Sequence, residues 1–189
     1  MDCTFDLPAR EAICVVDSAV RSLARPSRFH PEDSEQRMDA VRRRLEQMVA
    51  AQGPRRGARR ARAVLRITSR LAESPGESVL RWFVRALGLP APRLQARIAD
   101  PDLSRFYFPD EVWPEFKVLA EFDGQLKYTS PEELWREKQR HDALVRMGWH
   151  TERFIWSDVG DLDALRHRVL TLFPPAAARL WRPMADLWK

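Results

Sequence analysis

Residues 108–128 read FPDEVWPEFKVLAEFDGQLKY. In the second half, Phe116, Val118, Ala120 and Phe122 alternate with Lys117, Leu119, Glu121 and Asp123, the period of two that marks a strand with an apolar, core-facing side and a charged one. A turn of even length centred between Glu115 and Phe116 folds the stretch onto itself so that paired residue numbers sum to 231, which sets Asp110 across from Glu121. Cross-strand Cβ atoms then lie about 4.5–5.5 Å apart, and two carboxylates so placed repel unless a cation or a proton sits between them.

Two readings of this hairpin stand side by side. In one, Asp110 and Glu121 hold a divalent metal, Mg2+ or Mn2+, because hard carboxylate oxygens completed by water and phosphate suit those ions. Such an ion would polarise a phosphodiester and activate water, while an ammonium steadies the charge that develops. In the other, the turn is odd, Asp110 points elsewhere and the acids form a solvated sheet edge. The lysines bear on this choice: of 32 Lys+Arg only four are lysines, and Lys117, Lys127 and Lys138 fall in or just after the stretch. A compact ammonium kept where arginine is the habit suits a single phosphate oxygen.

Working outward, Ser130, Pro131 and Glu133 open a helix running to about Met147 and stopped by Gly148. Its Leu134, Lys138, His141 and Val145 share one narrow arc, so Lys138 and His141 either snorkel at the core edge or reach the carboxylates or a bound phosphate. A strand in WHTERFIW (149–156) and a helix from Asp161 to Leu172 follow. Upstream, strands are expected at Leu94–Ile98 and Arg105–Val112. Before them Ser74 as N-cap, Pro75 at N1 and Glu77 at N3 open a helix burying Val79, Phe83, Ala86 and Leu87 and closing at Gly88. Capping alone explains Glu77.

The first third reads as helical: residues 9–25 carry Ala12, Val15, Val16, Ala19, Val20 and Leu23 at helical spacing, and Ser34 to about Ala51 carries Met38, Val41, Leu45, Met48 and Val49. GPRRG (53–57) breaks the second helix, and a short one through Ala63, Val64, Ile67 and Leu71 follows. The order gives an α/β class with three parts: a helical N-terminal extension (1–73), an α/β domain (74–175) and a tail (176–189) whose LWRPMADLWK tryptophans are expected to dock on the domain.

Charge is uneven. The chain is 189 residues with a formal net charge of +5, yet Arg42 to Arg70 holds ten arginines against one acid, Glu46. Arg55, Arg56, Arg59, Arg60 and Arg62, with Arg140 and His141, are therefore candidate contacts to a nucleic-acid backbone, the alternative being a solvated helix face. No apolar run is long enough to span a bilayer and MDCTFDLPAR lacks the layout of a secretory leader, so neither spanning nor secretion is indicated and a cytoplasmic protein is expected. Cys3 and Cys14 read as free thiols.

Taken together, SPGES (74–78), LGLPAPRLQ (87–95), DEVWPEFKVLAEFDG (110–124), KY (127–128), WREKQRHDALVRMGW (135–149) and WSDV (156–159) resemble the small endonuclease-domain proteins related to very-short-patch-repair endonucleases, within the PD-(D/E)xK, restriction-endonuclease-like superfamily. FDLPAREAICVVDSAVR (5–21) resembles the segment that follows a winged-helix domain of the type IV abortive-infection antitoxin kind in longer relatives, which makes a shortened form of such a protein one expectation. The resemblance implies a mixed central sheet flanked by helices and a metal-dependent DNA endonuclease. Asp110 and Glu121 take its two acidic positions, Glu77 faces them from the first helix, and Asp123 belongs to the E-x-D-G string of this subgroup. Asp123 also stands where the wider superfamily has lysine, so Lys127 or Lys138 would have to supply that charge. The rival implication is a catalytically inactive nuclease-fold module that binds nucleic acid or a protein, either a second copy of the chain or a toxin–antitoxin partner.

Overall fold

A computed structural model describes residues 2–27, 31–124 and 130–189, and the chain divides into two units, Met1–Leu89 with Arg182–Lys189, and Pro90–Trp181.

The first unit is helical: α1 (Asp2–Asp6), α2 (Ala9–Ala24), α3 (Pro31–Ala51), α4 (Ala58–Ile67) and α5 (Pro75–Leu87), closed by a 3-10 turn at Ala185–Trp188. Both ends of α5 follow from local chemistry. Ser74 Oγ accepts the Glu77 N–H at 3.2 Å, Pro75 fills the first turn where no donor is needed, and Gly88 takes a left-handed φ of 96°. Gly88 is required a second time, because a Cβ there would overlap the backbone of Arg182 and Pro183, which returns to donate Arg182 N–H to the Gly88 carbonyl at 2.6 Å. The end of the tail docks on α5 of this unit: the Trp188 ring lies edge-on to Trp82 and Phe83, its Nε1–H donates to Ala86 O at 3.1 Å, and Trp82 Nε1–H donates to Leu187 O at 2.7 Å.

Helix α2 lies against α3, α4 and α5. Its buried stripe is Ala12, Ile13, Val16, Asp17, Val20 and Ala24, whereas Val15 and Leu23 are exposed. The stripe is rotated from the expected one because an acid belongs to it. Asp17 accepts from Thr68 Oγ1 at 2.7 Å, Ser69 N–H at 2.8 Å and Ser78 Oγ at 2.6 Å, and pairs with Arg81, whose Nε donates to Ile67 O at 2.9 Å. A buried carboxylate is tolerated when a counter-charge and several donors replace its water. Cys3 and Cys14 are free thiols.

The second unit is α/β. Strands β1 (Arg93–Leu94), β4 (Glu111–Trp113), β5 (Val118–Phe122) and β6 (His150–Phe154) form a sheet in the order β1-β4-β5-β6, antiparallel except for the parallel β5–β6 pair. Strands β2 (Ile98–Asp100) and β3 (Arg105–Tyr107) make a separate antiparallel ribbon. The two long upstream strands of the sequence reading are thus each interrupted. Gln95, at φ 50°, ends the first, and the second breaks over Phe108–Asp110, where Pro109 has no N–H to give a ladder.

Helix α6 (Pro131–Arg146) is the crossover that parallel strands require, and α7 (Leu162–Thr171) follows β6. Ala143 and Leu144 of α6 pack with Val112 and Leu119 on one sheet face, while Phe173 lies edge-on to Trp113 and Arg168 stacks over Phe154 on the other. With both faces covered, Leu119 is fully buried and the face opposite Val118 and Ala120 is charged only at its end. No helix among the described residues is long and apolar enough to cross a membrane.

Candidate functional site

The β4–β5 pairing has the expected register: Glu111 pairs Ala120, Val112 pairs Leu119 and Trp113 pairs Val118. The connection is a 3-10 turn over Pro114–Phe116 followed by Lys117 at φ 54°. Asp110 lies one residue before the paired segment. Its Oδ2 accepts the Phe122 N–H at 2.9 Å and its Oδ1 accepts from Gln95 Nε2 at 3.2 Å, so the carboxylate is anchored beside the end of β5.

Strand β6 adds the counter-charges. The parallel register sets Arg153 beside Glu121, with their charged groups 3.6 Å apart, and Arg153 also lies 3.9 Å from Asp123 and pairs with Glu137 of α6. Arg140, one turn after Glu137, bonds Glu121 and reaches Glu137 at 3.0 Å. Three carboxylates are therefore bridged by two guanidinium groups at the charged end of the sheet. Burial alone would lower the pKa of Arg140, but attraction to Glu121 and the hydrogen bonds to Glu121 and Glu137 outweigh it and hold the pKa above the ordinary value. Burial would raise the pKa of Glu137, and the bonds from Arg140 and Arg153 reverse that and hold it below the usual carboxylate range. Asp110 lies at the same end of β5 as these three carboxylates.

A cleft of about 650 Å3 opens beside this cluster, lined among others by Glu121, Glu137, Lys138, His141, Thr151 and Arg153. Lys138 and His141 are both exposed on its wall, and His141 Nδ1 lies 3.2 Å from Thr151 Oγ1. Their arc on α6 is not a core stripe: Leu134 and Val145 are exposed, and the helix turns Ala143, Leu144 and the paired Glu137 and Arg140 inward instead.

The sequence-derived residues thus fall into three places. Glu121, Lys138, His141 and Arg140 gather at the cleft or its edge, with Asp110 and Asp123 at the adjoining end of β5. Glu77 belongs to the helical unit, where its Oε2 accepts the Glu73 N–H at 2.8 Å, one residue before the N-cap N–H that a capping box would use. Lys127 lies outside the described residues. Arg55, Arg56, Arg59, Arg60 and Arg62 line a cleft of their own in the helical unit. Glu137 and Arg153 join the site without a motif in the sequence to mark them. The i,i+3 spacing of Glu137 and Arg140 was visible, but the role of Arg153 depends on the parallel register of β6 against β5.

Among the described residues no three or more carboxylate, imidazole or thiol groups converge as a metal cage. The donor chemistry still fits Mg2+ or Mn2+, which commonly use one or two protein carboxylates and take the rest from water and phosphate. The ion would compete with Arg140 and Arg153 for Glu121.

The chain is similar to the uncharacterized proteins MT2308 and Rv2248 of Mycobacterium tuberculosis, each 33% identical over 140 residues, 74% of this chain and 51% of the relative. The chain spans about half the length of these curated relatives. No protein-family model matches the chain, and no solved structure matches it.

Proposed function

We propose that the chain is a metal-dependent endonuclease, hydrolysing phosphodiester bonds in DNA at the cleft beside Glu121, with the second unit as a restriction-endonuclease-like layer structure. The observation that carries this reading is the β4–β5 register, which sets Asp110 and Glu121 at one end of the hairpin next to a cleft walled by Lys138 and His141. Asp110 and Glu121 would hold Mg2+ or Mn2+, which supplies Lewis-acid polarisation of the phosphate and a more acidic water. Water attacks phosphorus, the P–O bond to the leaving sugar oxygen breaks, and a phosphate monoester and a hydroxyl result.

The chain's own groups do the positioning. Lys138, exposed on the cleft wall, would offset the growing charge on the phosphate, the duty left unfilled by Asp123; Lys127 is the alternative donor. His141, oriented by Thr151, would hold a neighbouring phosphate. Arg153 keeps Glu121 and Asp123 on the same side of the sheet end. A cytoplasmic setting and association with a toxin–antitoxin partner or a second copy belong to the same proposal. Cleavage of plasmid DNA in Mg2+ or Mn2+, lost in Glu121→Gln and Asp110→Asn, tests it.

One observation favours a second reading, a non-catalytic nucleic-acid or protein-binding module: Arg140 and Arg153 already pair with Glu121, Asp123 and Glu137, as guanidinium groups would if they had replaced a cation. Such a module has no saturable Mn2+ site dependent on Glu121, so calorimetric titration separates the two.

A further inference from the structure

The segment from Pro54 to Arg62 starts as a loop and becomes α4, and the two together wall a cleft of about 690 Å3. Its charged lining is Arg55, Arg56, Arg59, Arg60 and Arg62 with Lys189, against the single acid Asp186. Arg55 pairs with Asp6, and Lys189 and Arg59 lie 2.9 and 3.8 Å from Asp186, so cations still outnumber the acids they meet, an excess that a polyanion relieves.

The cleft is also held in shape. Gly57 takes φ 83°, and a Cβ there would overlap the Phe5 carbonyl, which also accepts from Arg60. The Arg55 guanidinium stacks 4.4 Å from the Phe5 ring centre and reaches Asp6 at 3.4 Å and Gln52 at 3.2 Å. Arg59 is 77% exposed at its side chain and only 3.8 Å from Asp186, and Arg56 and Arg62 are exposed. Arg55 and Arg60 thus form a fixed floor, while Arg56, Arg59 and Arg62 are presented to solvent. The first turn of α4 has no acid and no side-chain cap, so its N–H groups add to the positive field.

The lining also says what is not read. Among the described residues it holds no aromatic side chain on which an unpaired base could stack. What it offers is charge and paired guanidinium donors, which match phosphate oxygens. We infer that this cleft is a sequence-independent binding site for the phosphodiester backbone of duplex DNA, built in the helical unit and separate from the carboxylate cluster. The inference rests on the reading of the chain as acting on DNA, yet binding here needs neither metal nor cleavage.

The test uses the full chain in EDTA, with anisotropy of a labelled duplex followed across a range of KCl. Each phosphate contact contributes roughly 0.9 to the slope of log K against log salt, so the triple variant R56Q/R59Q/R62Q should lose up to about 2.7 from that slope. The control triple R93Q/R105Q/R166Q, equal in charge and exposed on the other unit, should leave the slope within about one contact of wild type. Two unrelated duplex sequences should bind alike and a single strand more weakly. An unchanged slope in R56Q/R59Q/R62Q, an equal loss in the control triple, a marked sequence preference or no duplex binding by the wild type would each overturn the inference. Because EDTA silences hydrolysis, a cleavage-negative protein that still shows the arginine-dependent slope would sink the nuclease reading and leave this one intact. All six substitutions are at exposed side chains, and matching thermal unfolding curves verify folding.

Discussion

Replacing Arg140 by Gln should tighten, not weaken, the binding of Mn2+. In the structure Arg140 is bonded to Glu121 and to Glu137, with side-chain exposures of 25%, 16% and 22%, so the pairing is partly screened by water. A unit charge pair about 4 Å apart at an effective dielectric of about 20 is worth about 4 kcal/mol. Arg153 remains 3.6 Å from Glu121 in the variant and keeps part of the competition, and solvent takes another part. Roughly a quarter to a half of the pair energy, about 1–2 kcal/mol, is then released to an incoming cation, a five- to thirty-fold fall in Kd. Isothermal titration of MnCl2 into wild type, R140Q and E121Q measures it, with thermal unfolding as the check on folding. R140Q binding Mn2+ with the same or lower affinity than wild type would refute the view that arginine and metal compete for one carboxylate.

Two further outcomes follow from groups already placed. Glu137, whose pKa is depressed by Arg140 and Arg153, stabilises the fold once ionised, so its contribution is full above the ordinary carboxylate range and is lost as pH falls through its lower folded-state pKa; the Tm difference between wild type and E137Q should be present at pH 7 and close on acidification. Asp17→Ala leaves the Arg81 guanidinium, 4% exposed, without its counter-ion and should cost the helical unit about 3–5 kcal/mol, read by urea unfolding of α-helical circular dichroism; a loss under about 1 kcal/mol would contradict the network.

How far the fold could be read from sequence differs with the range of the interaction that decides each element. Ser74, Pro75 and Gly88 bound α5, and Ser130 opens α6, because capping and left-handed glycine are local chemistry. The hairpin register was legible only as one of two, for an even or an odd turn, and the four-residue connection at 114–117 decides for the even one. Asp17 was not, because a carboxylate in a helical stripe reads as solvent-facing until Thr68, Ser78 and Arg81 from distant segments are known to surround it. Arg153 was hidden for the same reason: its partners Glu121 and Glu137 lie on another strand and a helix, joined by a parallel pairing that no turn specifies. The inward turn of Glu137 and Arg140 on α6 likewise depends on the charged sheet end they meet, so apolar periodicity alone placed Leu134 and Val145 on the wrong side.

The most direct test of the account is the conversion of supercoiled plasmid by wild type and Glu121→Gln in Mg2+ or Mn2+. The account predicts nicked or linear product from the wild type and a loss of about 100-fold or more in the variant. Equal conversion by both proteins, or intact plasmid with wild type in both metals, would contradict it.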